Sequence, residues 1–451
     1  MSERACIVTL AILGLSLPAC ADGDWYAFSD KYERWQKDRP FVLGALHNSV
    51  PEDHALERAH RLKAAGCNTL IWWKPGNAVH MFAAAREAGI GWACGSVGGL
   101  KTIGEAMKVD GNAFIMVGDE PGDDELEEIA ALTDEVRATY PRTPLFTNLS
   151  FMKVSHDRYV ELCRPDILSF DHYPLLRNGT TQESYLYNVA WGRHSARKYR
   201  LPYWLFLQAY GREEEKPSYA YRVPDQADLR FLVFTHLAHG GAGINFFHYY
   251  GYQGSMIEDT GVEREASGPT SAHRYENTVA SRAWFAVRDV APEVHVLARA
   301  LVNLRSKGEI TYAGDGRLWD HRAPKYSKHN RDDGYRCSRF GGHGSLLDVR
   351  VVDGEDMGLL VGLFVDRRGE EYFMIVNLAH GINQSKLDAA RRVRIEFDDG
   401  IERIERLNRM TGRVETLRTT TTDQHRVLDV TLEGGTGDLF KWSNGRRWAM
   451  R

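Results

Sequence analysis

Residues 112–141 read NAFIMVGDEPGDDELEEIAALTDEVRATYP and decide the fold. The run 112–117 is too apolar for a half-exposed strand, so it reads as one buried on both faces, as in a parallel sheet. After Pro121, Leu126, Ile129, Ala130, Leu132 and Val136 recur at helical spacing, with acids ahead of them and Pro141 at the end. Strand, then Asp119 and Glu120, then helix is the order found at the C-terminal face of a (β/α)8 barrel, where catalytic groups sit.

The same unit repeats along the chain. Strand-like runs at 41–46 (FVLGAL), 68–74 (NTLIWWK), 90–94 (IGWAC), 144–148 (PLFTN), 166–174 (DILSFDHYP), 203–208 (YWLFLQ) and 243–249 (GINFFHY) bring the set to eight, with helical segments among them. Ser49 and Glu52 read as a capping box for the second segment. Eight buried strands over roughly 260 residues predict an α/β protein with a (β/α)8 TIM barrel. Beyond a helix near 281–301 the period changes from 3.6 to 2. Val393, Ile395 and Phe397, then Leu428, Val430 and Leu432, alternate with polar residues, which predicts a C-terminal antiparallel β-sandwich. Residues 305–339 are polar, a long loop or a ragged start to that domain.

Arg4 ahead of an apolar run at 5–17, with Ala19-Cys20-Ala21 behind it, reads as a secretory signal peptide over 1–21. The barrel is then expected over 22–302 and the sandwich over 303–451. The chain would be exported to the periplasm or beyond, with no membrane span in the mature protein, and Cys20 leaves a lipid anchor open. The remaining cysteines, Cys67, Cys94, Cys163 and Cys337, are widely spaced and indicate neither a zinc site nor a disulfide framework. A net charge of −4 over 451 residues gives no reason to expect nucleic acid as partner.

The predicted strand ends collect His47, Trp72, Trp73, Lys74, Asp119, Glu120, Asn148, Asp171, His172, Tyr173, Gln208, Tyr210, His248 and Tyr249. Phosphate loop, metal-spaced cluster and Ser-His-Asp order are all missing from the sequence, so no cofactor or metal is expected. Amides and carboxylates suit sugar hydroxyls and aromatic rings suit pyranose faces, so a carbohydrate partner and carboxylate acid/base chemistry are expected. Trp72 and Trp73 are adjacent on a strand, so one faces the barrel and the other the helix layer. Lys74 either pairs with Glu120 or a substrate oxygen, or ends its strand.

GDEP at 118–121, NLS at 148–150, SFDHYP at 169–174, PYWLFLQ at 202–208 and GAGINFFHYYGY at 241–252 together resemble secreted bacterial clan A glycoside hydrolases, in particular the β-galactosidase-like family 42. The resemblance covers roughly residues 40–300 and implies that Glu120, ending strand four, is the general acid/base. Two positions depart from the pattern. Asp119 stands where Asn usually precedes the acid, and Gln208 stands where strand seven usually offers a nucleophilic Glu. Asp171 is then the preferred second carboxylate, as nucleophile or base, with Asn148, Gln208 and Tyr210 holding hydroxyls. Glu213, Glu214 and Glu215 either reach back into the site or form a solvated run. Two other readings stay open: an α-glycosidase arrangement with Asp119 as nucleophile and Asp171 as acid, and a noncatalytic carbohydrate-binding barrel.

Overall fold

The computed structural model describes residues 25–48, 50–150, 153–212, 220–251, 254–259, 278–314, 338–422 and 425–451. The leader-like residues 1–21, Ser49, Cys337, Glu213, Glu214 and Glu215 lie outside them. Strands β1 (Val42–His47), β2 (Thr69–Trp72), β3 (Gly91–Gly95), β4 (Asn112–Asp119), β5 (Leu145–Ser150), β6 (Leu168–Asp171), β7 (Tyr203–Gln208) and β8 (Gly241–Tyr250) pair in chain order, and parallel pairing of β8 with β1 closes the barrel. Helix α1 (Asp30–Lys37) precedes β1, and α2 (Glu52–Ala64), α3 (Val79–Glu87), α4 (Gly99–Ala106), α5 (Leu126–Thr139), α6 (His156–Cys163), α7 (Ser184–Lys198) and α8 (Gln226–Ala238) follow successive strands. The expected capping box is replaced: Pro51 is the N-cap of α2 and offers no side-chain acceptor, so only the acids of the first turn favour its start.

Strand alternation sorts the side chains. Val42, Ile71, Phe114, Met116, Phe146, Trp204 and Phe206 fill the barrel, while Leu70, Ile115, Leu145 and Leu205 pack under the helices. Helix α1 plugs the N-terminal end: Trp35 Nε1 donates to the Ala113 carbonyl at 2.7 Å and its ring lies 6.0 Å from that of Trp204. With that end sealed by apolar rings, the polar strand ends collect at the other.

Short strands β9 (Ile257–Asp259) and β10 (Thr278–Ala280) extend the sheet beyond β8. After α9 (Arg282–Leu301) the architecture changes to two antiparallel sheets. One is built from β11 (Leu304–Ala313), β12 (Ser338–Arg339), β14 (Leu359–Asp366), β15 (Glu371–Asn377), β17 (Arg403–Leu407), β18 (Val414–Arg418) and β21 (Gly437–Trp442). The other contains β13 (Leu346–Asp353), β16 (Arg391–Phe397), β19 (Thr420–Thr421) and β20 (Arg426–Leu432). Val361, Phe373, Ile395, Val430 and Phe440 form the core between them. The outer face of the larger sheet lies on the barrel, where Leu360, Phe364 and Met374 join the helix-layer core. Gly362 belongs to that face, and any Cβ there would collide with the Ala238 carbonyl oxygen of α8. Covered on both sides, β14 is buried along its whole length, which is why its sequence does not alternate.

The two domains are also joined by buried charges. Arg230 of α8 meets Asp289 at 2.9 Å and Glu293 at 2.5 Å, and Glu293 accepts from Arg409 at 2.6 Å. Each ion is paired, which is what permits charge at so dry a junction. No helix among the described residues is long and apolar enough to cross a membrane.

Candidate active site

Three carboxylates meet at the C-terminal ends of β4 and β6. In β4, Met116 faces inward and Val117 outward, and a register shift against β5 falls between Met116 and Gly118. A Cβ on Gly118 would lie 2.8 Å from both Ile129 of α5 and Thr147 of β5, so the bulged residue takes the outward turn and any side chain there would force its neighbours to shift. Asp119 then returns to the barrel mouth. Register pairs Asp119 with Asn148 on β5, and Ser150 with Asp171 on β6, which sets the three polar residues on neighbouring strands.

Asn148 joins the two aspartates: its Nδ2 donates to Asp119 Oδ1 at 3.0 Å and to Asp171 Oδ2 at 3.2 Å. Both of its amide protons are thereby spent on carboxylates, so it spaces them, while its buried Oδ1 has no hydrogen-bond partner among the described residues and is left to accept from the expected hydroxyl. Asp171 also accepts from the Tyr173 hydroxyl at 3.1 Å and is hydrogen-bonded to the carboxyl of Glu120. Only 7% exposed, Asp171 has its pKa held well above the usual carboxylate range, first by burial, then by the charge and hydrogen bond of Glu120 and the charge of Asp119. The protonated form of Asp171 is thereby favoured. Asp119 opens to solvent at the mouth, yet protein packed around its carboxylate pushes its pKa up too, against the Asn148 hydrogen bond and with the help of the Glu120 charge.

The side chain of Glu120 is 37% exposed and pairs with a cation. That cation is Lys153, on the loop between β5 and α6, at 2.9 Å from Oε2 and 3.0 Å from the Glu120 carbonyl oxygen. Lys74, the partner suggested by sequence, is an exposed residue ahead of the turn Pro75–Asn77. Glu120 adopts φ 45°, a left-handed backbone in a non-glycine residue directly before a proline. Such a conformation costs about 1–2 kcal/mol and is kept only where surrounding contacts enforce it.

Other expectations are redistributed. Gln208 is fully buried and its amide is saturated by backbone: Oε1 accepts from Leu175 N at 2.9 Å, while Nε2 donates to the carbonyls of Leu175, Tyr210 and Arg222 at 3.1, 3.3 and 2.8 Å. It staples the loops after β6 and β7 and has nothing left for a hydroxyl. Gln208→Glu, which restores the acid that sequence comparison leads one to look for, should therefore cost stability, about 3 kcal/mol or more in urea unfolding, because a carboxylate would face three carbonyls. A stable Gln208→Glu protein with raised activity would overturn this account.

His172 is likewise structural. Its ring accepts from Asn188 Nδ2 of α7 at 3.0 Å and donates to Gln182 at 2.7 Å, and burial pushes its pKa down to about 4. His47 and Tyr249 face the helix layer: His47 packs 4.8 Å from the Tyr249 ring and bonds the Asn48 carbonyl, and Tyr249 OH donates to the Arg58 carbonyl of α2 at 2.9 Å. His248 is fully buried, 3.4 Å from Ser255, so it does not line the open mouth. Trp72 packs into the helix layer, whereas Trp73, just past the end of β2, packs against both the helix-layer and the inner cluster, so the division expected of adjacent strand residues is only partly met. Tyr173 and Tyr210 do flank Asp171, and Phe247 completes an aromatic wall, stacked on Tyr173 at 5.2 Å and edge-on to Tyr210 at 4.9 Å. Phe247 and Lys153 were not singled out by sequence: one is a phenylalanine in an apolar strand, the other a lone loop lysine.

With this geometry in place, the profile of glycoside hydrolase family 42, described as β-galactosidase, matches residues 123–284. Over that stretch the barrel resembles family 42 glycoside hydrolases. The matched stretch includes Asp171 and Gln208 but begins beyond Asp119 and Glu120. Barrel and sandwich together resemble a solved glycoside hydrolase over 91% of this chain and 95% of that one, at 12% identity and a TM-score of 0.55. A β-galactosidase from the psychrophilic Marinomonas ef1 is also similar, at 12% identity over 58% of this chain and 62% of that one, with a TM-score of 0.43. A β-glucuronidase from an uncultured Clostridium sp. is 12% identical over 56% of this chain and 50% of that one, with a TM-score of 0.40. The chain thus spans less than two thirds of either enzyme's length. No curated protein matches it in sequence.

Proposed function

We propose that the protein hydrolyses the glycosidic bond of an uncharged glycone with retention of configuration, using Asp119 as nucleophile and the Asp171–Glu120 pair as acid/base. The observation that carries this is the Asn148 bridge. Two oxygens that accept from one nitrogen at 3.0 and 3.2 Å can be no farther apart than the sum of those distances. Oxygens held that close favour the ~5–5.5 Å between carboxyl groups of a retaining enzyme over the roughly 6.5–9.5 Å that leaves an inverting one room for its water.

In the first step the Asp119 carboxylate attacks the anomeric carbon while its bond to the leaving oxygen breaks, and the proton shared by Asp171 and Glu120 passes to that oxygen. In the second, the pair takes a proton from water, the water oxygen attacks the anomeric carbon, and Asp119 departs as carboxylate. Glu120 faces the mouth and Asp171 lies behind it, where burial and the Glu120 charge favour its protonated form. The wall of Tyr173, Tyr210 and Phe247 gives a pyranose an apolar face to rest on. Residues 1–21 support an exported enzyme, by sequence alone.

The test is hydrolysis of aryl glycosides, β-galactosides first, followed by proton NMR of the first-formed sugar. The product should keep the anomeric configuration of the substrate before mutarotation. Inversion would rule out Asp119 as nucleophile.

A further inference from the structure

Glu120 is held in an unfavourable backbone conformation, and its carbonyl and carboxylate are gripped by one side chain. From this we infer that Lys153 is a positioning residue for the reaction: it locks Glu120 in the turned-back conformation that lays its carboxylate on Asp171, and its charge offsets one of three clustered carboxylates. This rests on the functional reading above. The grip has two points, at 3.0 and 2.9 Å, and the Glu120 amide adds a third by donating to the Asn148 carbonyl at 2.7 Å. Without the lysine, φ 45° directly before Pro121 has one anchor fewer, and an extended backbone is the favoured alternative. Glu120 would then leave Asp171.

The electrostatics agree. Partial burial disfavours the Lys153 ammonium, yet the hydrogen bond and charge of Glu120, with the charges of Asp171 and Asp119, outweigh it and raise its pKa. By reciprocity the ammonium favours the ionised form of each carboxylate. The groups facing it are Asp119 from β4, Glu120 just after it and Asp171 from β6, with Tyr173 behind; Arg158, at the start of α6, is spent on Asp123 and Glu127 at 2.7 and 2.9 Å.

The test compares Lys153→Met and Lys153→Arg. Lys153→Met should lower kcat roughly tenfold or more, with a smaller change in KM, and should narrow the pH profile by about half a unit at each limb. The acid limb rises because Asp119 must be ionised and loses a nearby positive charge, and the alkaline limb falls because Asp171 loses the charge and hydrogen bond of Glu120 that keep its proton on. Lys153→Arg keeps the charge without the same two-point grip, so the acid limb should return while the alkaline limb and kcat stay below wild type. A Lys153→Met profile superimposable on wild type would overturn the inference. Carboxyl carbon NMR titration of the folded proteins gives a readout free of turnover. Asp171 titrating at lower pH in Lys153→Met supports the role, and an unchanged titration sinks it even if no glycoside is ever cleaved. Absence of all glycosidase activity in the wild type would instead remove the functional reading. Lys153 is 48% exposed, so the substitution is compatible with folding, and Lys153→Gln serves if the methionine disturbs the loop.

Discussion

Asp171→Asn should reduce kcat/KM on glycosides with poor leaving groups by about 10³-fold, the scale of a lost general acid. The amide fits the same space and can still receive Tyr173, but it has no proton to release to a leaving oxygen and cannot take one back from water. Leaving-group dependence makes the assignment specific. A dinitrophenyl aglycone leaves without protonation, so its glycosylation step should be far less affected than that of an alkyl aglycone, and a uniform loss across leaving groups would mean that Asp171 only holds the site in shape. The pH dependence has a definite sign. Burial and the neighbouring Glu120 charge keep the Asp171 proton on to higher pH than an ordinary carboxyl would, so activity persists on the alkaline side and fails as pH rises through the pair's apparent pKa. Glu120→Gln removes the larger of the two charges responsible, so any residual activity should fail at lower pH than in wild type. An alkaline limb that stays in place would show that the proton is governed from elsewhere.

The barrel was legible because each strand is buried on both faces and each unit ends in polar residues, a pattern that survives in sequence without any partner being known. The sandwich was legible from alternation in β16 and β20, while β14 hid its period by lying between two covered faces. Asp119, Glu120, Asn148 and Asp171 could be named because strand ends aim at the mouth. What sequence could not supply was direction within the last residue or two. A bulge at Gly118 re-aims Asp119, a left-handed turn re-aims Glu120, and backbone carbonyls capture Gln208 before any substrate could. Lys153 is the sharpest case: five residues beyond Asn148 and on a loop, it has no periodicity, and only the folded loop lays it across Glu120.

Asp119→Ala should be the most damaging single change, lowering turnover by roughly 10⁴-fold or more, since it deletes the attacking atom rather than assisting it. On the scale of barriers that is about 5.5 kcal/mol, beyond what loss of one hydrogen bond from Asn148 could cause. The methyl leaves a gap beside Asn148 where a small anion can stand. With an activated aryl glycoside, azide should restore turnover and yield a glycosyl azide whose anomeric configuration is opposite to that of the substrate, because azide attacks from the face Asp119 vacated. The same anion offered to Glu120→Ala should give the retained azide, since there Asp119 still forms the covalent intermediate and azide replaces the water of the second step. The two products separate the roles by stereochemistry, whatever the sizes of the rate effects. If Asp119→Ala stays within about tenfold of wild type while Glu120→Ala yields the inverted azide, the nucleophile is Glu120, and Asn148 serves to align an aspartate that never bonds to sugar.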